Sequence, residues 1–257
     1  MRPAVKQNGL KYYEYVLCYV DDVLVVSEEP EKTIDGLQQV FKLKGDKASI
    51  PDMYLGATLA VVETPNGNKC WSMSPEKYVR AAVENVEKRL KSINKVLPSK
   101  CVTPTAYKYR PEEDLSEDLE GDELTYFQEL IGVLRWAIEI GRADILLEVS
   151  LLSSHLASPR RGHLEQVYHI FGYLKKHPKR KIYLDPDHPV ISESRFKRFD
   201  WEEFYMGAEE PMTNHVPEPR GGEISLHCFV DADHASDKVT RRSHTGIIII
   251  GNKDHDK

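Results

Sequence analysis

An α+β fold is predicted by three features of the 257-residue sequence. Runs of aromatic and β-branched residues lie towards both ends, stretches with apolar residues at helical spacing fill the middle, and strong turn signals separate them. Tyr12 to Val20 is such a run, apolar on both alternating sets apart from Glu14, which predicts a central strand covered on both faces. Val23 to Val26 repeats that character directly after Asp21-Asp22, so the two runs predict a hairpin with carboxylates at its tip. Glu31 to Leu43 carries Ile34, Leu37, Val40 and Phe41 at helical spacing, and Met53 to Glu63 returns to strand. Thr64-Pro65-Asn66-Gly67-Asn68 predicts a hairpin turn, because Asn-Gly supplies the positive φ that such turns need.

Ser74-Pro75 predicts the start of a helix, with serine as N-cap and proline at the first helical position. Its apolar face would be Tyr78, Val79, Ala82, Val83, Val86 and Leu90. Ser74-x-x-Lys77 could also mark an acyl-transfer serine, but the companion S-D-N and K-T-G motifs are missing and capping accounts for the serine. Thr125-x-x-Gln128 predicts a capping box opening a helix to Ile140. Two further helices are expected, about 144–157 and 160–176, with Pro159 between them and Pro178 after the second. Residues 186–220 hold five prolines and little periodicity, which predicts an irregular connection, and 223–230 and 246–250 then predict two strands.

Composition excludes several classes. With 40% hydrophobic and 30% charged residues and a net charge of −6, the chain is that of a globular protein rather than a disordered tail. The purely apolar stretch Ile247 to Ile250 falls far short of the ~18 residues of a membrane span, so no membrane partner is expected. The first ten residues contain no apolar signal-peptide core, so an intracellular, cytoplasmic chain with reduced thiols is expected. Cys18, Cys70, Cys101 and Cys228 form no C-x-x-C, which argues against a structural zinc site. Charge is uneven: residues 76–110 hold nine Lys or Arg against three Glu, 112–123 hold eight acids and no base, and 160–181 hold seven bases against Glu165. Such runs are either ordinary solvated faces or a surface for nucleic-acid phosphates.

The candidate chemistry centres on Asp21-Asp22. Adjacent carboxylates between strands repel each other, and a hard divalent cation relieves that repulsion. The pair sits within Leu17-Cys18-Tyr19-Val20-Asp21-Asp22-Val23-Leu24-Val25. That string resembles the catalytic hairpin of reverse transcriptase in the Pol polyprotein of copia-type LTR retrotransposons. The resemblance continues in order. Tyr54-Leu55-Gly56 resembles the primer-grip turn, and Ser74-Pro75-Glu76-Lys77-Tyr78 the start of the first thumb helix. Phe127 to Gly132 and Arg142-Ala143-Asp144-Ile145 resemble two later helix motifs, with Phe127 and Ala143 where the family usually has tyrosine and proline. Pro159-x-x-x-His163 with Tyr173-Leu174-Lys175 matches the connection. Asp231-Ala232-Asp233 followed by Arg241 to Gly246 resembles the opening of ribonuclease H, with His234 where an aromatic is common.

The resemblance implies a truncated polymerase palm at 1–73, a helical thumb and connection at 74–185, a linker at 186–222 and the first strands of a ribonuclease H-like sheet at 223–257. It implies RNA-directed DNA polymerase chemistry, a nucleotidyl transfer, with Asp21, Asp22 and Asp231 as catalytic ligands of Mg²⁺ or Mn²⁺. Tyr19, Tyr54, Leu55, Gly56, Lys77 and Arg80 would contact nucleic acid. The partners implied are an RNA template, a DNA primer, an RNA–DNA hybrid and the remainder of the polyprotein, within a virus-like particle if the element is intact. For Asp233 a turn or surface role is expected.

A palm needs a third metal-binding aspartate, and the only carboxylate before Asp21 is Glu14, about 23 Å back along the same strand. After Asp231 the acids are Asp233, Asp237, Asp254 and Asp256, short of the family's ribonuclease H set. The expectation is therefore a fragment inactive alone, with unpaired strand edges and poor solubility. The alternative is a non-catalytic remnant that binds nucleic acid through its basic helices. An unrelated metalloenzyme would leave the ordered motifs unexplained. His163 and His169 are not at metal-ligand spacing, so capping or surface roles are expected for the histidines.

Overall fold

The computed structural model describes residues 1–43, 48–64, 66–187, 201–208, 211 and 213–253. It is an α+β chain of small antiparallel sheets and helices. Strands β1 (Arg2–Val5), β2 (Lys11–Tyr19) and β3 (Asp22–Val26) form one sheet with β2 in the middle. β1 was not anticipated, although Asn8-Gly9 is a turn signal. Gly9 has φ 84°, and Asn8 Oδ1 accepts from the Leu10 amide at 3.1 Å. β2 is central in order but not covered on both faces, since Tyr15, Leu17 and Tyr19 are exposed. A three-stranded sheet with one partly covered face cannot bury both alternating sets. Glu14 is buried, held by Arg2 Nε at 2.8 Å and Ser27 Oγ at 2.5 Å. Those hydrogen bonds, with the Arg2 charge, hold its carboxyl below the usual range. Its work is structural.

Helix α1 spans Pro30–Gln38, shorter than the periodicity suggested, and Val40 and Phe41 beyond it are exposed. The next predicted strand is broken. β4 (Met53–Tyr54) and β5 (Ala57–Glu63) are joined by a tight turn at Leu55-Gly56, and β5 pairs with β6 (Lys69–Ser74). β7 (Ile182–Leu184), also unanticipated, completes that sheet beside β6.

Helix α2 spans Glu76–Ser92, so Pro75 occupies the N-cap position and Ser74 lies one residue further out. The Ser74 hydroxyl still accepts from the Glu76 amide, at 3.4 Å. Helix α3 (Gly121–Glu139) starts four residues before the predicted capping box. Thr125 Oγ1 instead donates to the Gly121 carbonyl, and Gln128 donates to the Leu156 carbonyl. α4 (Leu146–Ser153) follows a 3₁₀ turn at Ala143–Ile145, and α5 runs Arg161–Lys176. His163 caps α5: its Nδ1 accepts from the Arg160 amide at 2.9 Å while Nε2 donates to the Pro111 carbonyl at 3.0 Å.

The core lies among α2, α3, α4 and α5, built on Val79, Val83, Leu90, Phe127, Leu134, Val149, Ile170 and Phe171. α5 can approach the 98–101 segment because residue 172 is glycine. A Cβ there would lie 2.5 Å from the Pro98 carbonyl oxygen and 2.7 Å from Cys101 Sγ. The predicted irregular connection contains the short helix α6 (Trp201–Tyr205), and residues 188–200, 209, 210 and 212 of it lie outside the described residues. β8 (Ile224–Ala232) and β9 (Thr245–Lys253) pair as a two-stranded sheet.

Candidate functional site

The Asp21-Asp22 pair straddles the end of a two-residue turn, with Asp22 the first residue of β3. Tyr19 pairs with Asp22 across the β2–β3 hairpin, leaving Val20 and Asp21 at the tip. Val20 has φ 53° and is 94% exposed. A β-branched residue in the left-handed region is strained, so the hairpin holds a costly conformation at its most accessible point. Both aspartates are exposed, and neither takes part in a side-chain hydrogen bond or ion pair among the described residues. Their oxygens are therefore free for a cation.

Three motif-bearing segments gather beside this hairpin: the Tyr54–Gly56 turn, α2 and α3. The Tyr19 ring lies 5.6 Å from the Trp136 ring of α3. Tyr54 is close enough to Asp22 and Cys18 for their charges to add to the burial that pushes its phenol up. The turn after Tyr54 places Leu55 at φ 52° and Gly56 at φ 85°, the two positive angles of a tight hairpin. A Cβ on Gly56 would sit 3.9 Å from the Tyr78 ring of α2, and the Tyr78 hydroxyl donates to the Val133 carbonyl of α3 at 3.1 Å. Tyr19, Asp22, Tyr54 and Gly56 thus share one neighbourhood with α2 and α3. Sequence reasoning missed Trp136, whose signal was an indole on the same face of α3 as Val133.

Lys77 and Arg80 lie on the exposed side of α2. Arg80 is tied to Glu76 at 2.7 Å, which offsets its charge. The acidic segment folds back on the basic one: Glu123 pairs with Arg161 at 2.6 Å, and Asp118 with Arg160 at 3.4 Å. Much of the basic run is therefore neutralised internally.

Asp231 lies in β8 opposite Gly246 and is exposed. Asp233 organises the following loop, accepting from the His244 amide at 2.9 Å and Ser236 Oγ at 2.5 Å. The Ser236 hydroxyl and then the His244 amide hold its carboxyl below the usual range. Asp233 is a turn residue, as expected. Among the described residues no three His, Cys, Asp or Glu gather as a metal cluster, so the structure does not bring Asp231 together with Asp21 and Asp22. Asp254 and Asp256 lie outside the described residues.

A second organised group lies within the helical unit. Arg142 is 0% exposed and makes a bidentate pair with Asp144, at 2.8 and 2.9 Å. Asp144 also accepts from the Tyr173 hydroxyl at 2.9 Å and lies 3.3 Å from Arg180. Burial alone would raise the Asp144 carboxyl, but these three partners together hold it below its ordinary value. Cys101 Sγ lies 3.6 Å from His169 Nδ1, yet burial pushes the thiol up, which makes it an inert core group rather than a nucleophile. All four cysteines are free.

Two exposed carboxylates thus sit beside a strained turn of a β-hairpin in an α+β protein. Known proteins of similar sequence show the company such a chain keeps. It is 24% identical over 248 residues to the retrovirus-related Pol polyprotein from transposon RE1 of Arabidopsis thaliana, a match covering 95% of this chain and 13% of that protein. It is 29% identical over 163 residues to the putative transposon Ty5-1 protein of Saccharomyces cerevisiae, covering 62% of this chain and 48% of that one. It is also 29% identical over 172 residues to the retrovirus-related Pol polyprotein from transposon TNT 1-94 of Nicotiana tabacum, covering 62% and 12%. The chain's resemblance to copia-type retrotransposon Pol polyproteins is thereby shown over most of its length, and it spans less than half of each of these relatives. No family model and no solved structure matches. No helix among the described residues is long and apolar enough to cross a membrane.

Proposed function

We propose that the chain serves RNA-directed DNA synthesis as part of a retrotransposon Pol polyprotein. In this reading residues 1–73 are palm, 74–185 thumb and connection, 186–222 linker and 223–257 the start of a ribonuclease H-like unit. The observation that carries the reading is the Asp21-Asp22 pair, free of partners and presented beside the Tyr54–Gly56 turn, α2 and α3. Asp21 and Asp22 hold Mg²⁺ or Mn²⁺, which when bound supplies charge neutralisation for nucleotidyl transfer. Tyr19, packed on Trp136, and the Tyr54-Leu55-Gly56 turn position a primer strand on an RNA template, and Lys77 and Arg80 face its phosphates. Asp231, on its separate sheet, ligates a cation for hybrid cleavage.

The test is titration of Mn²⁺ into the chain, followed by calorimetry and electron paramagnetic resonance. Saturable binding is expected, and the Asp21→Asn/Asp22→Asn variant loses it while keeping the parent circular dichroism. Equal Mn²⁺ binding by parent and variant would overturn the assignment.

A further inference from the structure

We propose that the Asp185-Pro186-Asp187 turn, at the open end of the sheet formed by β4, β5, β6 and β7, binds Ca²⁺. The site is separate from the hairpin carboxylates and independent of the polymerase reading. Asp185 follows directly on β7. Leu184 pairs with Trp71, so the same register continued sets Asp185 opposite Cys70 and Asp187 opposite Asn68. The Asn68 side-chain amide accordingly donates to Asp187 Oδ2 at 3.2 Å. On the other side of β6, Glu63 pairs with Lys69, and the Thr64 amide donates to the Asn68 carbonyl at 2.8 Å. Opposed residues of antiparallel strands share a face, so Thr64, Asn68, Cys70, Asp185 and Asp187 stand on one face of the sheet.

The observation that points to a ligand is a buried charge with nothing to balance it. Asp185 is only 9% exposed. Its Oδ1 accepts from the Asp187 amide at 3.0 Å, whereas its Oδ2 is buried with no hydrogen-bond partner. Neither aspartate has an ion pair among the described residues. A buried carboxylate oxygen without donor or counter-charge is costly, and a second carboxylate two residues away adds repulsion. Thr64 Oγ1, at the same end of that face, is also buried without a partner. A water molecule could hydrogen-bond to Asp185 Oδ2 but would leave both negative charges uncompensated. A divalent cation removes both costs.

The donors select which cation. Cys70 shares the face, yet among the described residues no three His, Cys, Asp or Glu gather, so a soft-metal ligand set is missing. Two carboxylates supplemented by neutral oxygens and water form an all-oxygen set. Such donors, drawn unevenly from a turn and a neighbouring strand end, suit the flexible coordination of Ca²⁺ better than the near-ideal octahedron that Mg²⁺ demands. The Pro186 carbonyl accepts from the Lys253 amide at 2.9 Å, so an ion held by this turn also steadies the end of β9.

The experiment is thermal unfolding of the full chain, read by circular dichroism in EDTA and at increasing Ca²⁺, with amide hydrogen exchange at Lys253 in parallel. The parent is compared with Asp185→Asn, with half-buried Asp187→Asn as a second variant if the first does not fold, and with Asp21→Asn/Asp22→Asn. Expected is a midpoint that rises with Ca²⁺ in the parent and in the hairpin variant, with slower exchange at Lys253. In the turn variants the apparent affinity falls at least about tenfold, while unfolding in EDTA stays near the parent. No response of the parent to Ca²⁺, or an equal response in parent and turn variants, overturns the site. Loss of the response in the hairpin variant alone assigns the ion to Asp21 and Asp22 and overturns it too. A turn variant that is weaker in EDTA but responds fully to Ca²⁺ marks the aspartate as purely structural, with the same consequence.

Discussion

The helical unit and the two open hairpins put the same kinds of apolar residue to opposite uses. In the helices, Val79, Leu134, Ile170 and Phe171 are removed from water because four helices cross and close on each other. In β8 and β9, Ile247, Ile248 and Ile249 are each more than half exposed, and in the β2–β3 hairpin Leu17 and Val26 are exposed too. A two-stranded ribbon cannot bury a face unless another layer covers it. Stability therefore resides in the helices, while the hairpins carry the motif carboxylates on surfaces that the described residues leave open. Phe127→Ala removes a fully buried ring from α3 and is expected to cost about 4 kcal/mol. Ile248→Ala should change stability by no more than about 0.5 kcal/mol. Urea unfolding read by circular dichroism measures both, and similar midpoints for the two variants would abolish the division of labour.

The Arg142–Asp144 group sharpens the same contrast through pH. Its carboxylate is held below the ordinary value, so ionised Asp144 stabilises the fold. The unfolded carboxyl titrates near 3.9; the contribution is whole above that pH and disappears as pH falls through the lower folded value. Acid should loosen the helical unit in that window. Asp144→Asn leaves Arg142 buried without its counter-charge, should cost on the order of 3 kcal/mol at neutral pH and should flatten the acid limb. Unfolding midpoints measured from neutral to acid pH decide this. A parallel offset between parent and variant at every pH would place the acid sensitivity elsewhere.

How much of this could be read from the sequence depended on whether the signal was local. Helical periodicity located α2 and its buried face, because a 3.6-residue repeat directly records one-sided packing, and flanking prolines bounded α5. The β2–β3 hairpin was equally legible, although its turn falls on Val20-Asp21, one residue before the expected Asp21-Asp22 tip. The Thr125 capping box failed because helix propagation continued upstream to Gly121, where the segment is pinned by Leu119 donating to the Pro159 carbonyl. β7 was missed since a three-residue strand has no periodicity of its own and exists by pairing with β6. The Tyr19–Trp136 contact and the Arg142–Asp144–Arg180 group depend on tertiary neighbours, which no single segment encodes.

The smallest expected effect lies at the hairpin tip, where the contrast between rigid core and exposed site is most local. Val20 is held at φ 53° with almost its whole side chain in water, so it contributes strain and little packing. Glycine adopts that angle freely, which relieves about 1–2 kcal/mol of strain, while its greater unfolded-state freedom costs back about 0.5–1 kcal/mol. Val20→Gly should therefore stabilise the hairpin by about 0.5 kcal/mol, without moving the global unfolding midpoint set by the helices. Hydrogen exchange at Leu17 and Leu24, which face each other across the hairpin, reads this directly. Slower exchange at these amides with an unchanged global midpoint places the strain in the turn. Faster exchange would mean that the Val20 side chain supports the hairpin, and the strain would have to be sought in the packing of Tyr19 on Trp136.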